Sequence, residues 1–325
     1  MSTASRRARV VEAMRGEGID VLILGREANA RYVSGADRLW LAGTRPFAPG
    51  CVLPAVTGDV HLLSITDDGL PRDIPVDHLF PISWNPMTIL ANVTVIPGVA
   101  GARRIGVDGM TPLFEQLLAG VLPDAELVDG EALLRNVRRG KDDDEVDAIR
   151  AAVAAAEDAL EAVAAALAPG VREIDCKARF EDAMTHAGLT APAFEAVCCV
   201  ADGGPPRTFA SERVIREGDR VHVRGGVIRD GMEGVVARTL VCGDGQLRAP
   251  CLHDVLGRCR AGAAIGDLRG EGVAIEGTGI GHEELAADDR LVPGMTVAVE
   301  VLEDGVLDGA VALVTDDEPV VLGRA

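Results

Sequence analysis

Aromatic side chains make up only 3% of the 325 residues, too few to offer the stacking platforms on which single-stranded nucleic acids are held. Lysine is nearly missing too: Lys141 and Lys177 stand alone, and arginine carries the remaining positive charge. The 32 basic residues face 51 acidic ones, a formal net charge of −19. Such a surface repels phosphate backbones and anionic headgroups, so no nucleic-acid partner and no membrane partner is expected. No apolar run approaches the ~18 residues of a membrane-spanning helix. The N-terminus enters a polar helix without the apolar stretch of a secretory signal, so the expected compartment is cytoplasmic. The seven cysteines are odd in number and include no Cys-x-x-Cys pair. Neither a disulfide framework, nor a zinc cluster, nor a redox dithiol is readable from them, and buried reduced thiols are expected.

What is present is an ordinary globular composition, 48% hydrophobic and 26% charged, on a chain long enough for two cores. Apolar periodicity predicts helices over 5–18, 112–120 and 130–137, and strands over 21–24, 51–55, 59–65 and 104–107, an α/β pattern. A dense charge run starting at Arg138 marks the expected boundary, giving domains 1–138 and 139–325. Beyond it, three aspartates open an alanine-rich helix over 144–167, where the helix dipole favours acids. A second helix is expected over 172–187. Strands then follow over 194–200, 219–228, 234–242, 272–276 and 295–301, separated by turn signals such as Asp230 and Gly231. Helices followed by hairpin strands read as an α+β domain.

These residues resemble the creatinase, aminopeptidase P and prolidase group, whose catalytic domain has the pita-bread fold. Asn29, Tyr32 and Gly35 match an Asn-x-x-Tyr-x-x-Gly segment of that group's N-terminal domain. Lys141 and Glu145 are similar to its linker, and Pro169, Gly170 and Glu173 to its helix break. Glu217 through Val223, the Asp230-Gly231 turn, Ala237 through Thr239, Gly277 through Gly281, Pro293 through Glu300 and Ala312 through Thr315 then follow in order. The resemblance covers nearly the whole chain. It implies an α/β creatinase-like N-terminal domain, a pita-bread C-terminal domain and a homodimer in which Tyr32, Trp40 and Arg45 reach toward the partner's pocket.

The resemblance also implies what has been lost. Metal-using relatives hold two divalent ions with two Asp, one His and two Glu, a set able to balance the charge of hard or borderline dications. Here Arg224 stands at the first Asp position, Val235 at the second, Thr278 at the His and Gly309 at the last Glu, leaving Glu300 alone. No metal and no other cofactor is expected. The stretch from Gly204 to Glu212 also lacks the histidine with which the group contacts substrate.

The pocket implied by the fold contains Arg224, Glu233, Arg238, Thr278, Glu300 and the pair His282 and Glu283. Glu300, His282, Glu283 and Glu233 are the catalytic candidates. Arg224 is expected to face Glu300 in a buried, mutually neutralised pair, either as a structural crosslink or as an anchor for a substrate anion, because its planar fork suits both. Arg238, Thr278, Arg207, Trp40 and Arg45 are further candidate substrate contacts. Gly277 through Gly281 lacks the GxGxxG spacing and has no room for a crossover helix, so a nucleotide loop is not favoured. Two readings stay open. One is a metal-independent enzyme acting on a C–N bond of a small amide, amidine or amino-acid derivative. The other is a catalytically silent pseudo-peptidase that binds a small molecule or a protein.

Overall fold

The computed structural model describes residues 3–36, 50–63, 69–81, 83, 85–204 and 206–324, with the His282 side chain excepted. The chain divides into two compact units, Met1–Arg138 and Arg139–Ala325.

The first unit runs α1 (Thr3–Glu17), β1 (Val21–Leu24), α2 (Glu27–Ser34), β2 (Cys51–Pro54), β3 (His61–Leu63), β4 (Leu79–Phe80), α3 (Pro86–Thr94), β5 (Arg104–Asp108), α4 (Pro112–Val121), β6 (Glu126–Asp129) and α5 (Gly130–Arg139). Its sheet is mixed, ordered β4-β3-β2-β1-β5-β6. The all-apolar β1 lies in its interior, buried at every position, as a strand covered on both faces must be. The Asn29–Gly35 segment proves to be α2. Gly35 ends it at φ 70 with its N–H on the Arg31 carbonyl, a left-handed cap that glycine adopts without a Cβ penalty. Asn29 is wholly buried and donates through Nδ2 to Asp108 at 2.5 Å. Tyr32 is buried as well, at 1% exposure, with its hydroxyl accepting from Arg9 Nη2 at 2.7 Å. It therefore packs inside its own domain and does not reach toward a partner. Trp40 and Arg45 lie outside the described residues.

The second unit opens on α6 (Asp143–Ala166) and α7 (Glu173–His186) and continues through β7 (Pro192–Val200), β8 (Arg220–Arg229), β9 (Met232–Val241), β10 (Gly245–Leu247), α8 (Cys251–Arg258), α9 (Ile265–Leu268), β11 (Val273–Gly279), β12 (Gly281–Glu283), β13 (Thr296–Glu303), β14 (Val306–Leu313) and β15 (Val320–Val321). A capping box fixes the start of α6: Asp142 accepts from the Glu145 N–H, and the Glu145 side chain accepts from the Asp142 N–H. The nine-stranded sheet is antiparallel throughout, ordered β12-β11-β13-β14-β9-β8-β7, with β10 on β9 and β15 on β14.

Two helix pairs cover one face of this sheet. α6 and α7 pack over β7, β8 and β9 with Leu160, Phe180, Val223 and Val236 among the core residues. α8 and α9 pack over β11 and β13 with Leu252, Leu268, Ile275 and Val299. The first pair approaches very closely. A Cβ on Gly234 would lie 2.1 Å from the Ala152 backbone of α6, and one on Gly225 would lie 2.4 Å from the Phe180 ring. Glycine at these positions is a packing requirement. The hairpins β8–β9 and β13–β14 both turn on Asp-Gly pairs at positive φ, 51 and 82 for Asp230 and Gly231, 51 and 72 for Asp304 and Gly305, the conformation of two-residue type I′ turns. α2, α3, α8, α9, β4, β6, β10, β12, β14 and β15 were not anticipated from the sequence.

Candidate active site

Side chains alternate across a strand, so the positions that face the helices fix those that do not. Val223 and Val227 face α6 and α7, which puts Arg224 on the opposite face of β8. The same parity puts Glu233 and Val235 of β9, Glu276 and Thr278 of β11, and Ala298 and Glu300 of β13 on that face. All seven line one cavity of about 320 Å³, completed by Ala193, Phe194 and Gly277. The positions that the family resemblance marked therefore do converge. Gly309 joins them through the backbone, because it pairs with Glu300 on one side and with Ala237 on the other. A Cβ at Gly309 would stand 3.2 Å from Glu300 Cγ, so the missing side chain gives Glu300 its freedom to turn.

Glu300 uses that freedom to meet Arg224. The guanidinium Nε donates to both carboxylate oxygens, at 2.6 and 2.9 Å, and its carbon stands 4.2 Å from the Phe194 ring centroid. The pair was expected to be buried. Instead Arg224 remains 33% and Glu300 17% exposed, since the pair borders an open cavity. Phe194 reaches the arginine because the β7–β8 register shifts between Phe194 and Val197, an irregularity of the kind that re-aims side chains. Burial raises the Glu300 carboxyl, Arg224 opposes that rise, and Glu276 adds to it. Glu233, 6% exposed, is pushed up to about 7, first by burial and then by the charge of Glu276; Arg224 and Thr278 pull the other way.

Several sequence candidates fall elsewhere. Arg238 is five residues from Glu233 and so points to the helix side, where it pairs with Asp308. Asp308 also accepts from Arg248 Nε and the Ala249 N–H, each at 3.0 Å. Arg238 is a crosslink of the sheet and not a substrate contact. Glu283 turns away from the cavity into an ion pair with Lys141, 2.8 Å apart and each 2% exposed. Arg207 pairs with Glu173 and lies 3.4 Å from Ser211 Oγ. Burial would raise the Glu173 carboxyl, but bonds from Ser211, Val200 and Arg207 hold it below its ordinary value. Arg207 thus ties the 206–213 stretch to Glu173 of α7 and does not line the cavity. His282 is in β12, with its backbone opposite Thr278. The glycine run is the β11–β12 hairpin, with no helix to seat a phosphate; Gly277 and Gly279 leave the space that Glu283 and Lys141 fill. Cys198 and Cys199 are buried. Burial pushes both thiols up, the opposite of what a nucleophile needs.

Glu276 and Phe194 were missed by sequence reasoning. Glu276 was within reach, since it lies two residues from Thr278 and shares its face. Phe194 depends on the register shift, which leaves no sequence signature.

The donor set does not suit a pair of dications. Arg224 brings a positive charge, Val235 and Gly309 bring no donor, and the Thr278 hydroxyl is given to the Glu233 carbonyl at 3.3 Å. Glu300 is engaged by Arg224. Among the described residues no three His, Cys, Asp or Glu side chains are grouped to hold an ion. Purified protein dialysed against metal-free buffer should carry less than one Mn, Co, Zn or Fe per chain by elemental analysis; two ions surviving dialysis would show that the cavity rearranges to bind them.

Comparison with known proteins agrees with this architecture. Residues 6–139 match the Creatinase/Prolidase N-terminal domain and residues 147–269 match metallopeptidase family M24. The "Probable dipeptidase PepE" of Mycobacterium tuberculosis is 32% identical over 220 residues, 59% of this chain and 57% of that protein. The alignment thus spans little more than half of the relative's length. Among solved structures, the X-Pro aminopeptidase of Thermotoga maritima superposes with a TM-score of 0.79 at 15% identity, covering 98% of this chain and 97% of that one. The prolidase of Pyrococcus furiosus gives 0.77 at 17% identity, covering 98% and 99%.

Proposed function

The chain belongs to the proteins that join a creatinase/prolidase N-terminal domain to an M24 peptidase domain, and from that premise we propose that it is a metal-independent enzyme acting on a C–N bond of a small amide, amidine or amino-acid derivative. One observation carries this reading. Where relatives keep a metal cluster, this chain keeps an open cavity that contains both a fixed cation, Arg224, and a buried carboxyl, Glu233, poised near neutrality. A group with a pKa close to the working pH can both take and return a proton. Glu233 is the acid/base in this reading, and Glu300 holds Arg224. At about 320 Å³ the cavity is at the small end of the ~300–1,000 Å³ usual for ligand sites. Its apolar walls, Ala193, Val235 and Ala298, suit a short aliphatic substituent.

The test is amine release from a panel of dipeptides, N-acyl amino acids and amidines by protein treated with a chelator. Dipeptides come first because the PepE relative bears a dipeptidase's name. Turnover that survives the chelator and responds to pH around 7 supports the proposal. Turnover that appears only on adding Mn²⁺ or Co²⁺ sinks it.

The Arg224–Glu300 pair also favours a second reading, since it crosslinks β8 to β13 as a metal would, and a protein needing only that crosslink would bind without reacting. Binding of panel members with no amine release, in any buffer, selects this pseudo-peptidase reading. Either reading includes a homodimer. Light scattering is expected to give twice the 33.9 kDa chain mass, and a monomer at micromolar concentration would remove that part.

A further inference from the structure

Arg224 is held from two sides and open on a third. Glu300 takes its Nε with both oxygens, and the guanidinium carbon stands over the Phe194 ring, 4.2 Å from its centroid. Its terminal nitrogens Nη1 and Nη2 make no hydrogen bond among the described residues, while the side chain lines the cavity and is 33% exposed. A guanidinium carries five N–H donors in a fixed fork, and the four on Nη1 and Nη2 are left to face the cavity.

The charges around that pair decide what it is suited to hold. Glu300 already neutralises Arg224, taking its Nε with both carboxylate oxygens. A permanently anionic ligand therefore meets a guanidinium whose charge is already balanced, and gains little. An uncharged acyl group needs no net charge to enter, and its oxygen becomes negative only as a tetrahedral intermediate forms. We propose, resting on the enzymatic reading above, that Nη1 and Nη2 of Arg224 are an oxyanion site, taking on a neutral substrate the charge-stabilising task for which relatives use metal. Glu300 and Phe194 are its positioning residues. Water adds to the acyl carbon as Glu233 takes its proton, and the C=O electron pair moves to the oxygen facing Arg224. Collapse restores the C=O bond and breaks the C–N bond, with the proton passing from Glu233 to the departing nitrogen. An interaction of this kind strengthens only as charge develops, which is the condition for lowering a barrier.

A small alkylboronic acid such as ethylboronic acid tests the site without requiring turnover. It enters neutral and trigonal; on adding water it becomes a tetrahedral anion and releases one proton. With full-length protein, chelator present and a pH at which the free acid is trigonal, boron NMR is expected to show tetrahedral boron on wild-type protein. Arg224→Met should weaken this binding about 100-fold, the usual loss for an oxyanion donor, and Phe194→Leu should give an intermediate loss. Melting curves identify any variant that is unfolded. In case Arg224→Met is one of them, a crystal structure of the wild-type complex must show boronate oxygen within hydrogen-bond distance of Nη1 or Nη2. Boron that stays trigonal on wild-type protein, or a tetrahedral signal undiminished in folded Arg224→Met, overturns the proposal. The two ideas fail separately. Arg224-dependent boronate without amine release keeps the oxyanion site and removes the enzyme reading, whereas wild-type turnover by Arg224→Met does the reverse.

Discussion

Replacing Glu233 by Gln is expected to reduce amine release by roughly 10²–10⁴-fold, the contribution typical of a positioned acid/base. Glutamine keeps the shape, and the Thr278 hydroxyl still donates to the main-chain carbonyl at 233, but the amide can neither take nor return a proton. The loss should appear in kcat more than in KM, since an uncharged carboxyl and an amide bind neutral substrate similarly. The same substitution has a stability signature of definite sign. The folded-state pKa of Glu233 is about 7 against an ordinary 4.5, so between these values the native protein holds a proton that the unfolded chain has released. Its contribution is therefore favourable at acid pH and is lost as pH rises through that window, by about 3 kcal/mol in all. Glu233→Gln should flatten this slope and gain on wild type as pH increases from 5 to 8. Urea titrations at those two pH values measure it. A wild-type slope unchanged by the substitution would mean that Glu233 is ionised throughout and is not the proton carrier.

The success and failure of the sequence reading have one physical origin. Local patterns specify the face of a strand, and they do not specify its distant neighbour. Alternation in β8 and β9 already placed Arg224 and Glu233 together and Arg238 opposite, so the error over Arg238 was one of not applying the period of two. β14 was hidden because Asp308 and Gly309 imitate a turn in mid-strand; the true turn, Asp304 and Gly305, stands just before. Glu283 could not be assigned from its surroundings in the chain. Beside His282 it looks like half of a catalytic pair, and the partner that claims it is 142 residues earlier. The Arg224–Glu300 pairing was legible because the family resemblance fixed both positions, and opposite charges at one site have few other ways to be satisfied.

That distant partner forms a deeply buried ion pair beside the hairpin that carries Thr278. Lys141 stands at the start of the second unit, and its Nζ donates to Glu283 at 2.8 Å and to the Arg139 carbonyl at 3.2 Å. Both side chains are 2% exposed, and Gly277 and Gly279 are tight around them: a Cβ on Gly279 would stand 2.7 Å from Glu283 Oε1. Removing the cation by Lys141→Met therefore leaves a buried carboxylate without its counter-charge, at an expected cost of about 3–5 kcal/mol. Glu283 escapes part of that cost by taking a proton, so the loss should shrink as pH falls. Lys141→Met with Glu283→Gln should recover most of it, because replacing a whole buried pair by neutral groups is often close to neutral whereas removing one member is not. A double-mutant cycle in urea reads the coupling directly. If it is strong, the hairpin that carries Thr278 into the cavity is held by this pair, and the double variant should regain boronate binding lost in Lys141→Met. Coupling below about 0.5 kcal/mol, the ordinary limit of additivity, would show that the two groups are solvated in solution and that the hairpin is held by its backbone alone.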